Sequence, residues 1–298
     1  MDEPLRVTHP ETRGTIHLED AEVLSQRRFP GDQYILRVSA PACAASAVPG
    51  SFAHLACAEA IPMRRPLSIM RANPEQGWLD FLYKPVGHGL EVLGQRVRGD
   101  SVSVLGPIGN GFTPDPTRPQ IVAIGGGVGI PPMVFLAECL KDDPRFRVLV
   151  LMGSEVPFPF RLAEGEIEVS GMPAPASGSV EMLESWGVPS RLASLAGYGG
   201  CFAGFVTDLA RLRLEAMSGR ELDEVQVLGC GPTGMLAATA SLARRFDLPC
   251  QLALEEYMAC GVGGCAGCTV LLSTPDGPAM KRVCVDGPVF DARQVYPE

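Results

Sequence analysis

At 298 residues the chain is long enough for two or three domains. Its 46% hydrophobic and only 20% charged residues exclude a disordered or fibrous polymer. With 34 Asp and Glu against 25 Lys and Arg, the formal charge of −9 argues against nucleic acid or an anionic membrane as the main partner.

In chain order, the opening MDEPLRVTHPETRG has no apolar core and is not a signal peptide, which points to the cytoplasm. From about residue 5 to 112, short apolar or alternating runs (YILRV, FAHLAC, GWLDFLYKPV, SVSVLG) are separated by Pro, Gly and Asn turn signals and predict an antiparallel β-barrel. From about 119 to 254 the pattern becomes strand then helix, as in QIVAIGGG with PPMVFLAECLK and DEVQVLGCG with PTGMLAATASLARRF, which predicts a parallel sheet with covering helices. The uncharged run 119–137 is long enough to span a membrane, but three glycines and a Pro pair break it. It reads as strand, loop and helix start. The stretch 154–204 is rich in Pro and Gly, with little periodicity, and reads as a long insertion that projects from this domain. The last forty or so residues are too few for a large core and need a staple. The expected architecture is therefore multidomain β and α/β, with a barrel at 1–116, a nucleotide-binding domain at 117–250 and a small cysteine-rich domain at 251–298.

Ten cysteines are an unusual load for a cytoplasmic chain, where thiols stay reduced. Cys43, Cys57, Cys139, Cys201 and Cys250 are scattered and read as small buried hydrophobes. Cys260, Cys265, Cys268 and Cys284 instead have the C-x4-C-x2-C…C spacing of plant-type [2Fe-2S] centres. Gly261, Gly263, Gly264 and Gly267 let that loop close around the sulfides. A structural zinc site is the competing reading, but zinc favours paired short spacings and only one C-x2-C occurs here.

Two further motifs suit anions. RRPLSIM puts Arg65 and Ser68 at one barrel strand, a charge-assisted contact for a pyrophosphate and a donor for a flavin ring, with Gly87 and Gly89 nearby to let amides approach phosphate. The bland alternative is an edge strand with a surface Arg. IGGGVGIPPM follows a predicted strand and opens a helix, where a pyrophosphate meets unpaired amides. It pairs with LGCGPTGM, so two strands of one sheet end in small residues around a crevice.

The order of these parts resembles the electron-transfer subunits of type B dihydroorotate dehydrogenases, a branch of the ferredoxin–NADP reductase superfamily. RPLS, LYK, GHGL, LGPIGNGF, GGGVGIPP, GFVTDL, LGCGPTGM and EEYMACGVGGCAGC with RVCVDGPVF carry the resemblance over nearly the whole chain. It implies FAD on Arg65, Pro66, Leu67, Ser68, Leu82, Tyr83, Lys84, Gly87, Gly89 and Leu90, and NAD(H) on Gly126, Gly127, Val128, Gly129, Gly231 and Pro232. Cys230 would lie at the nicotinamide, its small side chain pointing into the crevice. Leu90 stands where the family commonly has Thr, and members of the family are expected to be shorter than this chain.

Such a chain relays electrons, because a flavin must mediate between two-electron nicotinamide and a one-electron cluster. His9, His17, His54 and His88 form no base constellation, and His54 reads as structural. The other half of the reaction then belongs to a catalytic flavoprotein subunit in a hetero-oligomer. A small subunit of a ferredoxin-dependent transhydrogenase or sulfide dehydrogenase resembles the same family, and a redox-sensing subunit without turnover is the non-enzymatic alternative. Glu155, just past a strand end, would favour NADH by repelling a 2′-phosphate, with Arg161 acting the other way.

Overall fold

The alternating strands of the N-terminal half close on themselves. A computed structural model describes residues 15–297, and the reading of residues 1–14 lies outside the described residues. In chain order come β1 (His17–Phe29), β2 (Gln33–Ser39), α1 (Pro41–Ser46), β3 (Phe52–Ala56), β4 (Arg65–Asn73), β5 (Trp78–Tyr83), α2 (His88–Leu93) and β6 (Ser101–Ile108). The six strands form a closed antiparallel barrel in the order β1-β2-β5-β4-β3-β6, which leaves no unpaired edge. Ala21, Val23, Leu36, Val38, Leu55, Leu67, Ile69, Phe81 and Tyr83 fill its interior. Pro41 opens α1, where its missing N–H costs nothing. The next two donors of that turn, Ala42 and Cys43 N–H, are accepted by the Glu19 carboxylate of β1 at 3.0 and 2.8 Å.

The second half begins with β7 (Gln120–Gly126), a 3-10 turn (Gly127–Gly129), α3 (Ile130–Leu140), β8 (Arg147–Gly153), β9 (Leu162–Glu164), β10 (Gly178–Val180), α4 (Glu181–Ser185) and β11 (Ser190–Ala193). It continues through α5 (Val206–Glu215), α6 (Gly219–Leu222), β12 (Val225–Cys230), α7 (Thr233–Arg245) and β13 (Cys250–Ala253). These strands build a sheet in the order β11-β8-β7-β12-β13, all parallel. β7 and β12 are buried along nearly their whole length, as strands covered on both faces must be. α3 is buried on almost every side because it is wedged between the sheet and the barrel. Its Ile130, Met133 and Val134 share a core with Ile35, Met70 and Leu82, and Arg71 of β4 forms an ion pair with Glu138.

The stretch 154–204 differs from its expectation. It is drawn into the domain: β11 is the outermost parallel strand, and Ala176, Val180, Leu183, Leu192 and Cys201 join the two cores that flank the sheet. A parallel strand needs a crossover. Here β9, β10 and α4 supply it in pieces of three to five residues, too short to show a period. Cys139 is also corrected, because it is exposed on α3 rather than buried.

The chain ends with β14 (Thr269–Thr274), β15 (Gly277–Arg282), β16 (Val289–Asp291) and α8 (Ala292–Val295). β13 spans the expected boundary at 251, and β16 returns to pair antiparallel with it, so the tail shares the nucleotide sheet. The β14–β15 hairpin packs on the barrel: Cys268, Leu272, Val283, Cys284 and Phe290 cluster with Phe52 and Ile108. Among the described residues no helix is long and apolar enough to cross a membrane.

Candidate functional site

The expected flavin residues divide by strand parity. Residues opposite one another across an antiparallel pair share a face. Phe52 opposes Ser68, and His54 opposes Pro66. Leu67, between them, is buried in the barrel interior, as is Tyr83. The Tyr83 hydroxyl donates to Gln26 Oε1 at 2.9 Å and its ring stacks on Tyr34, while burial raises its pKa. Leu82 is committed to the core shared with α3. At Leu67, Leu82 and Tyr83 the side chains are therefore committed to the core, and it is their main chain that faces outward. Pro66, Ser68 and Lys84 are partly accessible.

Arg65 and the glycine loop do meet. The guanidinium donates to the Met63 carbonyl at 2.8 Å, and a Cβ placed on Gly89 would lie 3.0 Å from Arg65 Nε and Nη2. Gly87, with φ +79°, turns the chain into α2 and has open space beside it. A cation thus sits against the buried Gly89, two residues after the exposed Gly87, an arrangement suited to a diphosphate. Leu90 is half-buried against the barrel core.

The two nucleotide motifs converge at the carboxyl ends of β7 and β12. β7 lies between β8 and β12, so the crossovers to its two sides diverge there, and a crevice opens at such a point. Cys230 is in register with Gly125. A Cβ on Gly129 would lie 2.4 Å from both the carbonyl carbon and oxygen of Cys230, so only glycine lets the turn approach β12. Gly126 closes on Pro232 and Met235, and Gly231 on Met235. Gly127 has open space beside it, and Val128 is 38% exposed.

Cys230 itself departs from the expectation that it points into the crevice. It is 1% exposed and packs with Ile130, Met133 and Ala253, because α3 starts directly above it. Burial and then the charge of Glu255 raise its thiol pKa well above the ordinary value. Glu255 was not singled out in the sequence. The residue is exposed, and desolvation by the protein near it raises the pKa of its carboxyl. Glu155 is exposed past the end of β8, where its carbonyl accepts from the Tyr198 hydroxyl at 3.4 Å. Arg161 is also exposed.

The four clustered cysteines fall into two pairs. Cys268 and Cys284 bring their sulfurs within 3.3 Å. Cys265 hydrogen-bonds to the Cys260 sulfur with both its thiol and, at 3.4 Å, its backbone N–H. Among the described residues no group of three or more such side chains surrounds one point as a single ion requires. Two pairs of thiols suit two irons, each taking two thiolates, so the donor set fits a [2Fe-2S] cluster. Burial raises the Cys260 thiol, but N–H donors of Cys265, Val262 and Gly264 outweigh it and bring the thiol down to about 7. Burial and the neighbouring Cys268 push Cys284 up to about 12.

Arg282, also not anticipated, ties the pieces together. Its guanidinium donates to the Gly263 carbonyl at 3.2 Å and pairs with Asp286 at 3.3 Å, linking the hairpin that carries Cys284 to the cysteine loop.

The family model for the iron-sulfur cluster binding domain of dihydroorotate dehydrogenase B matches residues 255–296. The chain is 32% identical over 281 residues to the dihydroorotate dehydrogenase B (NAD(+)) electron transfer subunit of Desulforamulus reducens, covering 93% of this chain and 97% of that one. It is 35% identical over 282 residues to the subunit of Bacillus caldolyticus, covering 93% and 98%. These relatives are matched almost end to end, while a larger share of this chain stays outside the alignment, as expected of relatives somewhat shorter than this chain. Among solved structures, an NADH-dependent reduced ferredoxin-NADP oxidoreductase superposes with a TM-score of 0.73 at 23% identity, over 93% of this chain and 90% of that one. A ferredoxin NADP+ reductase from Neisseria gonorrhoeae superposes with a TM-score of 0.55 at 16% identity, over 77% and 91%. Both share the fold. The sequence relatives go further: the chain belongs to the family of dihydroorotate dehydrogenase B electron transfer subunits.

Proposed function

We propose that this chain relays electrons between NAD(H), FAD and a [2Fe-2S] cluster, to or from a catalytic dihydroorotate dehydrogenase subunit of the same hetero-oligomer in the cytoplasm. The observation that carries the reading is a continuous surface. The barrel face bearing Pro66 and Ser68 also bears Phe52, and Phe52 belongs to the same buried cluster as Cys268 and Cys284. Bound there, the nicotinamide and flavin would supply two-electron chemistry and the cluster one-electron transfer.

The residues divide the work. Arg65 and the main chain of Gly87, Gly89 and Leu90 hold the FAD diphosphate, while Pro66, Ser68 and Lys84 line the flavin. Gly126, Gly127, Val128 and Gly129 face the dinucleotide phosphates with the amides that open α3. Gly231 and Pro232 shape the nicotinamide end, and Cys230 packs beneath it with Glu255 nearby. Cys260, Cys265, Cys268 and Cys284 ligate the cluster.

Purified protein tests this directly. Flavin absorbance bleached by NADH, together with a [2Fe-2S] electron paramagnetic resonance signal on reduction, is expected. Co-purification of the native partner, and dihydroorotate-dependent NAD+ reduction by that complex, identify the final substrate. The reductase likeness at TM-score 0.73 favours one second reading, a small subunit of a ferredoxin-dependent transhydrogenase. A partner that turns over ferredoxin and NADPH, but not dihydroorotate, would establish that reading instead.

A further inference from the structure

His54 is fully buried, yet neither ring nitrogen has a hydrogen-bond partner. A buried imidazole with no partner forfeits the hydrogen bonds it makes in water. Burial, then Arg64, lowers its pKa to about 4. The neutral ring therefore carries one N–H and one lone pair.

Its location is informative. His54 shares the outer barrel face with Phe52, whose ring is 5.9 Å away, and that face is covered by the C-terminal hairpin. On the opposite side it meets the cysteine loop. A Cβ on Gly261 would lie 2.8 to 3.1 Å from His54 Cε1, Nδ1 and Nε2. Gly261 also has φ +69°, so both its backbone and its neighbour demand glycine. The ring is thus pressed against the residue that follows Cys260, where sulfur is the abundant acceptor. Although His54 stands opposite Pro66 on the barrel face, the contact made by the ring nitrogens themselves is with Gly261 of the cysteine loop.

We propose that His54 is a positioning residue for the iron–sulfur centre, donating its ring N–H to a sulfur of the bound cluster and thereby raising the cluster's reduction potential. This rests on the cluster assignment made above. Hydrogen bonds to cluster sulfurs stabilise the added electron and shift potentials upward.

The test uses the holoprotein. Potentiometric titration followed by electron paramagnetic resonance should show that His54→Leu lowers the ratio of reduced to oxidised cluster at a fixed potential about tenfold, which is about 59 mV for a one-electron couple. His54→Gln, which restores a donor, should recover much of that shift. Independently of any variant, wild-type protein labelled with 15N-histidine should show a 15N coupling to the reduced cluster in pulsed spectra. A cluster signal without that coupling, or an unshifted potential in a cluster-loaded His54→Leu protein, overturns the role of His54. Coupling to a flavin radical alone overturns it as well. No [2Fe-2S] signal in reduced wild-type protein overturns the functional reading instead.

Discussion

Gly129 and Cys230 touch through their backbones: the place a Gly129 side chain would take is already filled by the Cys230 carbonyl, 2.4 Å from the ideal Cβ. Two loops 101 positions apart in sequence are thereby locked at the mouth of one crevice. Gly129→Ala should push the turn off β12, destabilising the protein by about 1–3 kcal/mol, as overpacking typically does. It should also slow flavin reduction by NADH. Chemical denaturation and stopped-flow absorbance measure the two effects, and an alanine variant unchanged in both would show that the crevice is looser than the contact implies.

Arg65 against Gly89 predicts an ordering of flavin affinity. Hydrogen bonds to a charged group are worth about 1.5–3 kcal/mol, against about 1 for a neutral one. Arg65→Ala should therefore weaken FAD retention about tenfold or more, and Ser68→Ala less. Flavin fluorescence released on dilution reads both, and equal retention would refute the placement of the diphosphate.

Cys268 and Cys284 belong to the apolar cluster that seats the hairpin on the barrel. Cys268→Ser should abolish the reduced-cluster signal and speed amide exchange across β14 and β15, since ligation supplies folding free energy to small modules. Normal exchange in a protein without cluster would mean that Phe52, Leu272 and Phe290 suffice to hold the hairpin.

Glu19 makes the fold sensitive to acid. Burial raises its pKa, but the Cys43 thiol and the Ala42 and Cys43 N–H groups outweigh that and leave it lowered from 4.5. Because the folded value lies below the unfolded one, the stabilisation is present above about pH 4.5 and disappears as pH falls through the folded value. The stability gap between wild type and Glu19→Gln should be largest near neutrality and close toward acid pH. Urea titrations at several pH values test this, and a constant gap would contradict it.

Glu155 stands exposed past the end of β8. If it meets the adenosine ribose, NADH should reduce the flavin faster than NADPH, and Glu155→Gln should narrow the difference. Faster reduction by NADPH in the wild type would give control to Arg161.

Local chemistry made much of this legible in one dimension. The spacing of Cys260, Cys265 and Cys268 is a property of a single loop, and the glycines of IGGGVG declare a tight turn wherever they occur. Runs such as QIVAIGG have apolar density that survives any packing arrangement. Contacts between distant segments carry no such signature. Nothing near His54 in sequence announces Gly261, nothing near Glu19 announces the first turn of α1, and Tyr83 turned inward only because strand parity put its neighbours outward. The crossover at 154–204 read as an insertion because its elements are shorter than the periods by which strands and helices are recognised, and its place at the sheet edge depends on β8 being there to pair with. Patterning determined which segments fold and what chemistry they bear. Side-chain partnership across the barrel, the sheet and the hairpin was decided only by packing, because each such contact depends on two faces that the chain brings together late and far apart.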